Sequence, residues 1–424
     1  MQLVTTEQLA ARLSALASEE PRVVVSGNFA TPWTLLGLVD QALERYRAFV
    51  LNPQPGWPCR RGVIVETPFV GPGVRDDEHL DYVPMRLSLV PRLFDSLRPP
   101  DVALVHTSTP RGGRVSLGIE VNILPAAVER VRARGGLVVA QLNPAMPYTR
   151  GDAELDVDLF DLGVEVEAAL PSPVLRAVDD DTAAIGERIA RFAADGGTLQ
   201  LGIGQVPDAA TLHLRGRRRL GIWSEMVSDG VLALEQAGAL DPARPLAASF
   251  LFGSPELYDW AGDNDRLTMT RTETINDPGR IAEHPGMLSI NTALQIDLFA
   301  QANASYLGHR VYSGFGGQPD FVVGALHSPG GHAVIGLRSW HDKSDTSTVV
   351  PVLASPVSSL QHSAVVTEQG TAEIFGRSQP AQARLLIEQC AHPRARDELW
   401  RAARRLGLVR RSVEGALAEG PADH

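Results

Sequence analysis

The stretch TLQLGIGQVPDA (198–209), followed by GIWSEMVSDGV (221–231), decides the fold. A short β-forming run meets two glycines and then a helical pattern, which is the strand–turn–helix unit of an open α/β sheet. Glycine lets backbone amides approach an anion closely, and the helix N-terminus that follows attracts negative charge. Pro207 stands where the dinucleotide fingerprint needs its third glycine, so a tight turn with no ligand reads equally well. Glu225 ends the next short apolar strand, ahead of a helix that Ser228 or Asp229 would cap. A carboxylate at a strand C-terminus lies on the edge where such sheets bind ligands. A surface acid or cap-region charge fits the same pattern.

The alternation extends in both directions. Thr5 and Thr6 cap a helix over EQLAARLSAL, with Leu9, Leu13 and Leu16 at helical spacing. Strands are expected at 22–27, 62–66, 101–106 and 135–143, with a helix from near Pro32 and another over EVNILPAAVERVRARG (120–135). Further strand-like runs fall at 246–252, 265–270 and 333–337. PSPVLRAVDDD (171–181) combines prolines with an acidic run, and the alternation restarts after it. This divides the chain into two α/β domains, 1–180 and 181–424, with EGALAEGPADH (414–424) as a tail.

Composition removes several functions. The 424 residues suffice for two cores, and 44% hydrophobic with 21% charged residues is a globular balance. A net charge of −11 argues against nucleic acid or an anionic membrane as a partner. Cys59 and Cys390 stand far apart, which points to neither a disulfide framework nor a zinc site and fits a cytoplasmic setting. The N-terminus lacks the basic and apolar regions of a secretory signal, and no run approaches ~18 apolar residues. Lys343 is the only lysine, in HDKSD, which matches no lysine-dependent motif. The absence of G-x-S-x-G, of H-E-x-x-H and of ligand-spaced histidines argues against serine or metal hydrolysis. No metal is expected.

Other segments carry possible chemistry. YSGFGGQPDF (312–321) is glycine-dense, able to turn successive N–H groups toward one point as an oxyanion hole requires, or to form a hairpin or bulge. VVTEQGTAEIFGR (365–377) holds Glu368 and Glu373 without a readable role. SGNFATP (26–32), HTSTPRGGRVSLGIE (106–120) and LNPAMPYTRGD (142–152) are polar loops after strands, at the edge that usually closes a ligand site. GRRR (216–219) reads better as a solvated turn than as an anion site.

SLGIEVN, LNPAMPYTRGD, LQLGIGQVPDA, SEMVSDG, LSINTALQIDLFAQ, YSGFGGQPDF and VVTEQGTAEIFGR, taken in order, resemble the acetyl-CoA hydrolase/transferase family of class I CoA-transferases, including 4-hydroxybutyrate/acetate CoA-transferases. The resemblance runs from about Gly27 to about Pro393. It implies two tandem open α/β domains of the CoA-transferase (NagB/RpiA-like) type with the active site between them. It implies that Glu225 is the nucleophile and that Gly316 or Gly317, together with Val206, supplies oxyanion-hole amides. Gly202, Gly204, Gln205, Gly314, Gln318, Asp320 and Phe321 fall in the same segments and are expected at the substrate and CoA site. Coenzyme A and acyl-CoA would be substrates, with no tightly bound cofactor, and the protein would form a homodimer or larger homo-oligomer.

The implied reaction is ping-pong transfer of CoA between carboxylic acids through a glutamyl-CoA thioester, with acyl-CoA hydrolysis on the same fold as the alternative. A non-catalytic ligand sensor of similar architecture would need a DNA-binding segment or a missing nucleophile. The chain departs from the family in places. Gln369-Gly370-Thr371-Ala372-Glu373 stands where Tyr-Gly-Ile-Ala-Glu is common, and a usual arginine is replaced at or near Thr348. Both changes bear on the acyl pocket or on the anchor of an acidic acceptor. Phe29, Trp223 and Phe315 would narrow a pocket or serve a core.

Overall fold

Residues 1–16, 18–173, 177–202 and 204–409 are described by a computed structural model. Residues 174–176 of the expected domain junction, Ile203 of the glycine turn and the tail at 414–424 lie outside them.

The first eight-stranded sheet has the order Gln2–Leu3, Leu162–Glu165, Leu137–Leu142, Val102–Thr107, Arg22–Val25, Tyr46–Phe49, Val63–Thr67, Leu80–Tyr82. Every pairing is parallel. The runs VALVHT and LVVAQL are buried at every position, as expected of strands covered on both faces. After Arg22–Val25 the chain adds strands toward one edge, and from Val102–Thr107 it adds them toward the other. The crevice outside this reversal is where open α/β sheets bind ligands. The loops entering it start at Ser26 and Ser108.

The second sheet is built around the parallel strands Thr198–Leu201, Met287–Thr292, His332–Gly336 and Ala364–Val366. Thr371–Glu373 closes one edge antiparallel, while Met226–Val227 and Phe250–Leu251 extend the other. The two sheets are joined by several contacts. Arg150–Gly151 pairs with Leu267–Met269, Glu120 bridges Phe250, and one apolar cluster runs from Val24 in the first sheet to Val366 in the second.

Expected and observed elements differ where tertiary pairing intervenes. Thr5 accepts from the Gln8 amide, and Gln8 returns the bond, so the first helix runs from Thr6 to Ser14. The helix expected over 120–135 covers only Leu124–Ala133, because residues 119–121 are drawn into pairing with 249–251 and Asn122 has φ 35°. The run 246–252 splits at Ser249, since Leu246–Ala248 and Phe250–Leu251 join different sheets. Met287–Thr292 lay outside the expected alternation, its Ser289, Asn291 and Thr292 interrupting an apolar pattern. GRRR is the turn between helix Gln205–Leu214 and strand Gly221–Ile222, its Arg218 and Arg219 exposed.

Candidate active site

Glu225 sits where the second sheet's edge meets the first half of the chain. Its carbonyl accepts from the amides of Ser249 (2.8 Å) and Phe250 (2.9 Å). Beside it, Ser224 Oγ accepts from Leu201 N and donates to Met226 O, fixing the backbone on both sides. Residues 249–251 bond onward to Ile119 and Val121, so a continuous backbone network links Glu225 to the SLGIEVN segment.

The Glu225 carboxylate faces a cavity of about 150 Å³ whose walls come from both halves. Asn28, Asn52, Phe69, Leu87 and Asn122 line one side. Gln200, Gly202, Asn291, Phe315, Gly317 and Phe321 are among those lining the other. Asn276 Nδ2 donates to Glu225 Oε2 at 2.8 Å, while Asn276 Oδ1 accepts from Thr272 Oγ1 at 3.2 Å. This orients the amide. Glu225 keeps one side open to the cavity and is otherwise enclosed by protein. That enclosure pushes its carboxyl up to about 7; the Asn276 hydrogen bond opposes the shift, and the Asp320 charge adds to it.

Gly317 is packed onto this carboxylate. A Cβ there would lie 2.0 Å from Glu225 Oε2 and 2.3 Å from Asn276 Nδ2. Since its φ is −86°, space rather than backbone conformation demands glycine. Gly317 is also the N-cap of helix Gln318–His327, whose opening amides lack intrahelical partners.

A second acid lies across the cavity wall. Glu120 is 1% exposed and accepts from Asn28 Nδ2 (2.7 Å) and Asn122 Nδ2 (2.9 Å). Asn52 Nδ2 donates in turn to Asn28 Oδ1 at 2.8 Å. Burial pushes Glu120 up to about 7; the two amide bonds oppose this, and the Glu225 charge adds a smaller push. Asn28, Asn52 and Asn122 all have left-handed backbones, with φ of 47°, 48° and 35°, a conformation asparagine tolerates better than most residues.

The expected site residues separate into groups. Glu225, Gly202, Gly314, Gly317, Gln318 and Phe321 line the cavity. Gly316 lies just behind, where a Cβ would meet the Phe69 ring at 3.0 Å. Asp320 is buried and accepts from the Ser88 amide and hydroxyl, tying the two halves together. Gly204 and Gln205 line an adjoining cavity with Asp208, Arg215 and Ser228. Val206 lies in the first turn of helix Gln205–Leu214, where the opening amides lack intrahelical partners, and a Cβ on Gly336 would strike its side chain. Phe315 lines the cavity. Phe29 stacks on Phe252 at 4.2 Å, and Trp223 donates to Ile275 O. Thr348 donates to Arg338 O, and Gln369 to Glu368.

Sequence reasoning missed Asn276, Glu120 and the three left-handed asparagines. Asn28 and Asn52 follow the ends of adjacent strands in SGN and VLN, which is a readable signal for left-handed turns. Asn276 carried no such signal.

Residues 253–403 match the model of the acetyl-CoA hydrolase/transferase C-terminal domain. The chain is 37% identical over 346 residues to the 4-hydroxybutyrate coenzyme A transferase of Clostridium kluyveri, covering 78% of this chain and 80% of that protein. It is 33% identical over 411 residues to the succinyl-CoA:acetate/propanoyl-CoA:succinate CoA transferase of Fasciola hepatica, covering 90% and 84%. Its fold matches the crystal structure of RipA from Yersinia pestis with a TM-score of 0.87, at 26% identity over 96% of this chain and 98% of that one. These likenesses span both sheets and the cavity between them, and the chain belongs to the acetyl-CoA hydrolase/transferase family.

Proposed function

We propose that the protein is an acyl-CoA:carboxylate CoA-transferase in which Glu225 is the covalent carrier. The observation that carries this reading is one carboxylate, oriented by Asn276 and closely covered by Gly317, facing a cavity built from both halves of the chain.

A Glu225 oxygen attacks the thioester carbonyl, the C–S bond breaks and CoA leaves as thiolate. The product is a mixed anhydride between Glu225 and the acyl group. The thiolate then attacks the glutamyl carbonyl, displacing the carboxylic acid as its anion and leaving a glutamyl-CoA thioester. An acceptor carboxylate attacks that thioester, and the same two steps run in reverse. Thioester energy is retained throughout, and the kinetics are ping-pong. The Gly317 amide, at a helix N-terminus against the reacting group, is the best-placed oxyanion donor. Gly316 adjoins it, and the Val206 amide, in the first turn of helix Gln205–Leu214, is the second expected donor. The two halves, 1–180 and 181–424, act as domains clasping the substrate.

Acyl-CoA hydrolysis is the second reading, favoured by the family's description and by the opening of Glu225 to the cavity. Steady-state turnover separates the two. A transferase forms a new acyl-CoA and accelerates when carboxylate is added, while a hydrolase releases free CoA at a rate indifferent to carboxylate. A cytoplasmic homodimer is part of the same proposal. Among the described residues, no helix is long and apolar enough to cross a membrane.

A further inference from the structure

The glycine loop that covers Glu225 belongs to the second half of the chain but is tied down by the first. Residues 312–317 lead from a hairpin of strands Tyr306–Leu307 and Arg310–Val311 into helix Gln318–His327. Residues 68–87 hold them along their length. The half-buried Arg75 donates from Nε to Tyr312 O at 2.8 Å, and its guanidinium lies 3.8 Å over the Tyr312 ring. Val70 N donates to Ser313 O, and Leu87 N reaches Gly316 O at 3.4 Å. Gly314, at φ 106°, packs so closely that a Cβ would stand 2.7 Å from Pro68 O. On the hairpin itself, Arg310 donates to the Arg75 carbonyl and, at 2.6 Å, to Asp76 Oδ1.

A loop built on glycine has little stiffness of its own, so its placement must be imposed by its neighbours. The bonds from Val70 and Leu87 come from the backbone, whereas the bond from Arg75 comes from a side chain. A planar guanidinium can stack on a ring while its Nε–H donates, so Arg75 grips Tyr312 at both ring and carbonyl. The other end of the loop is Gly317, packed on the Glu225 carboxylate. We propose that Arg75 is a positioning residue for CoA transfer: by gripping Tyr312 it keeps the loop closed over Glu225, which holds the Gly317 amide in place and keeps water from the covalent intermediates. This role rests on the CoA-transfer reading and adds a reason for transfer to prevail over hydrolysis.

A loosened loop has a chemical signature. Water bonds to the glutamyl-CoA carbonyl carbon as the C–S bond breaks, which restores the Glu225 carboxylate and releases CoA thiolate and two protons. Free CoA without a new acyl-CoA reports that event.

The test compares full-length wild type, Arg75→Ala and Arg75→Lys, measuring new acyl-CoA and free CoA by chromatography. Acetyl-, butyryl- and succinyl-CoA serve as donors, with acetate and propionate as acceptors. The unlike pair that wild type turns over fastest is used, and thermal melting is the folding control. Arg75→Ala should still melt cooperatively, lose about tenfold or more in transfer kcat, and release at least about tenfold more free CoA per transfer. Arg75→Lys keeps a donor and a cation near the ring, so it should recover most of both losses. Should Arg75→Ala fail to fold, Tyr312→Leu, which keeps the carbonyl and removes the ring, must move the same ratio in the same direction. A hydrolysis-to-transfer ratio equal to wild type in the folded variant, or a lysine variant no better than alanine, overturns the role of Arg75 while CoA transfer stands. Failure of wild type to form a new acyl-CoA from any pair overturns the CoA-transfer reading, and the role of Arg75 with it.

Discussion

Replacing Gly317 by alanine tests the geometry of the site with a single methyl group. The Gly317 backbone, at φ −86° and ψ −5°, is open to alanine, so no conformational strain enters. The new Cβ would stand 2.0 Å from Glu225 Oε2, whereas ordinary contact begins at 3.4 Å, so something must yield by about 1.4 Å. Displacing the carboxylate breaks its bond to Asn276, because the same methyl also lies 2.3 Å from Asn276 Nδ2. A misplacement of roughly 1 Å at a reacting group costs on the order of 10²-fold in rate, or about 2.7 kcal/mol of transition-state stabilisation. The assay is kcat for transfer between two acyl groups, with thermal melting as the control for folding. In the Glu225→Ala background one of the two collisions disappears, so the loss of stability caused by Gly317→Ala should be smaller there. A Gly317→Ala enzyme within about threefold of wild-type kcat, with the same stability cost in both backgrounds, would refute the claim that Gly317 is shaped around the carboxylate.

Other expectations follow from the same contacts. Glu225→Ala should abolish transfer while the protein still melts cooperatively, as activity and calorimetry on one preparation will show. Transfer should rise with pH through about 7, because attack needs the ionised Glu225; Asn276→Ala, which removes the bond holding that value down, should move the midpoint upward in the pH–rate profile. Glu225 and Glu120 are both raised from 4.5 to about 7, so the stability from their protonated forms is full below 4.5 and lost as pH rises to about 7. Glu225→Gln should therefore gain stability relative to wild type between pH 4.5 and pH 8, measured by denaturant unfolding. Glu120→Ala leaves two buried amide donors without their acceptor and should cost about 2–4 kcal/mol in the same measurement.

The sequence carried the fold where the signals were local. The apolar runs 101–106 and 135–143 announced buried parallel strands, and the Thr5–Gln8 capping box announced a helix start. It failed where distant segments compete for the backbone. Residues 121 and 122 read as part of the start of a helix, yet their amides donate to Ser249 O and the Asn122 carbonyl accepts from Thr272 N. The same long-range pairing hid half of the candidate site. Glu225 and the glycines of 314–317 could be singled out because each stands in a short chemical pattern. Asn276 and Glu120 are defined only by what they face, Asn276 from 51 positions away and Glu120 bonded to an asparagine 92 positions away.

The most direct measurement is peptide-resolved mass spectrometry of the protein quenched during turnover with acyl-CoA. An adduct of CoA is expected on the peptide containing Glu225, lost in Glu225→Ala and discharged by added carboxylate. Continued transfer with the adduct on another residue, or with Glu225→Ala as active as wild type, would contradict it.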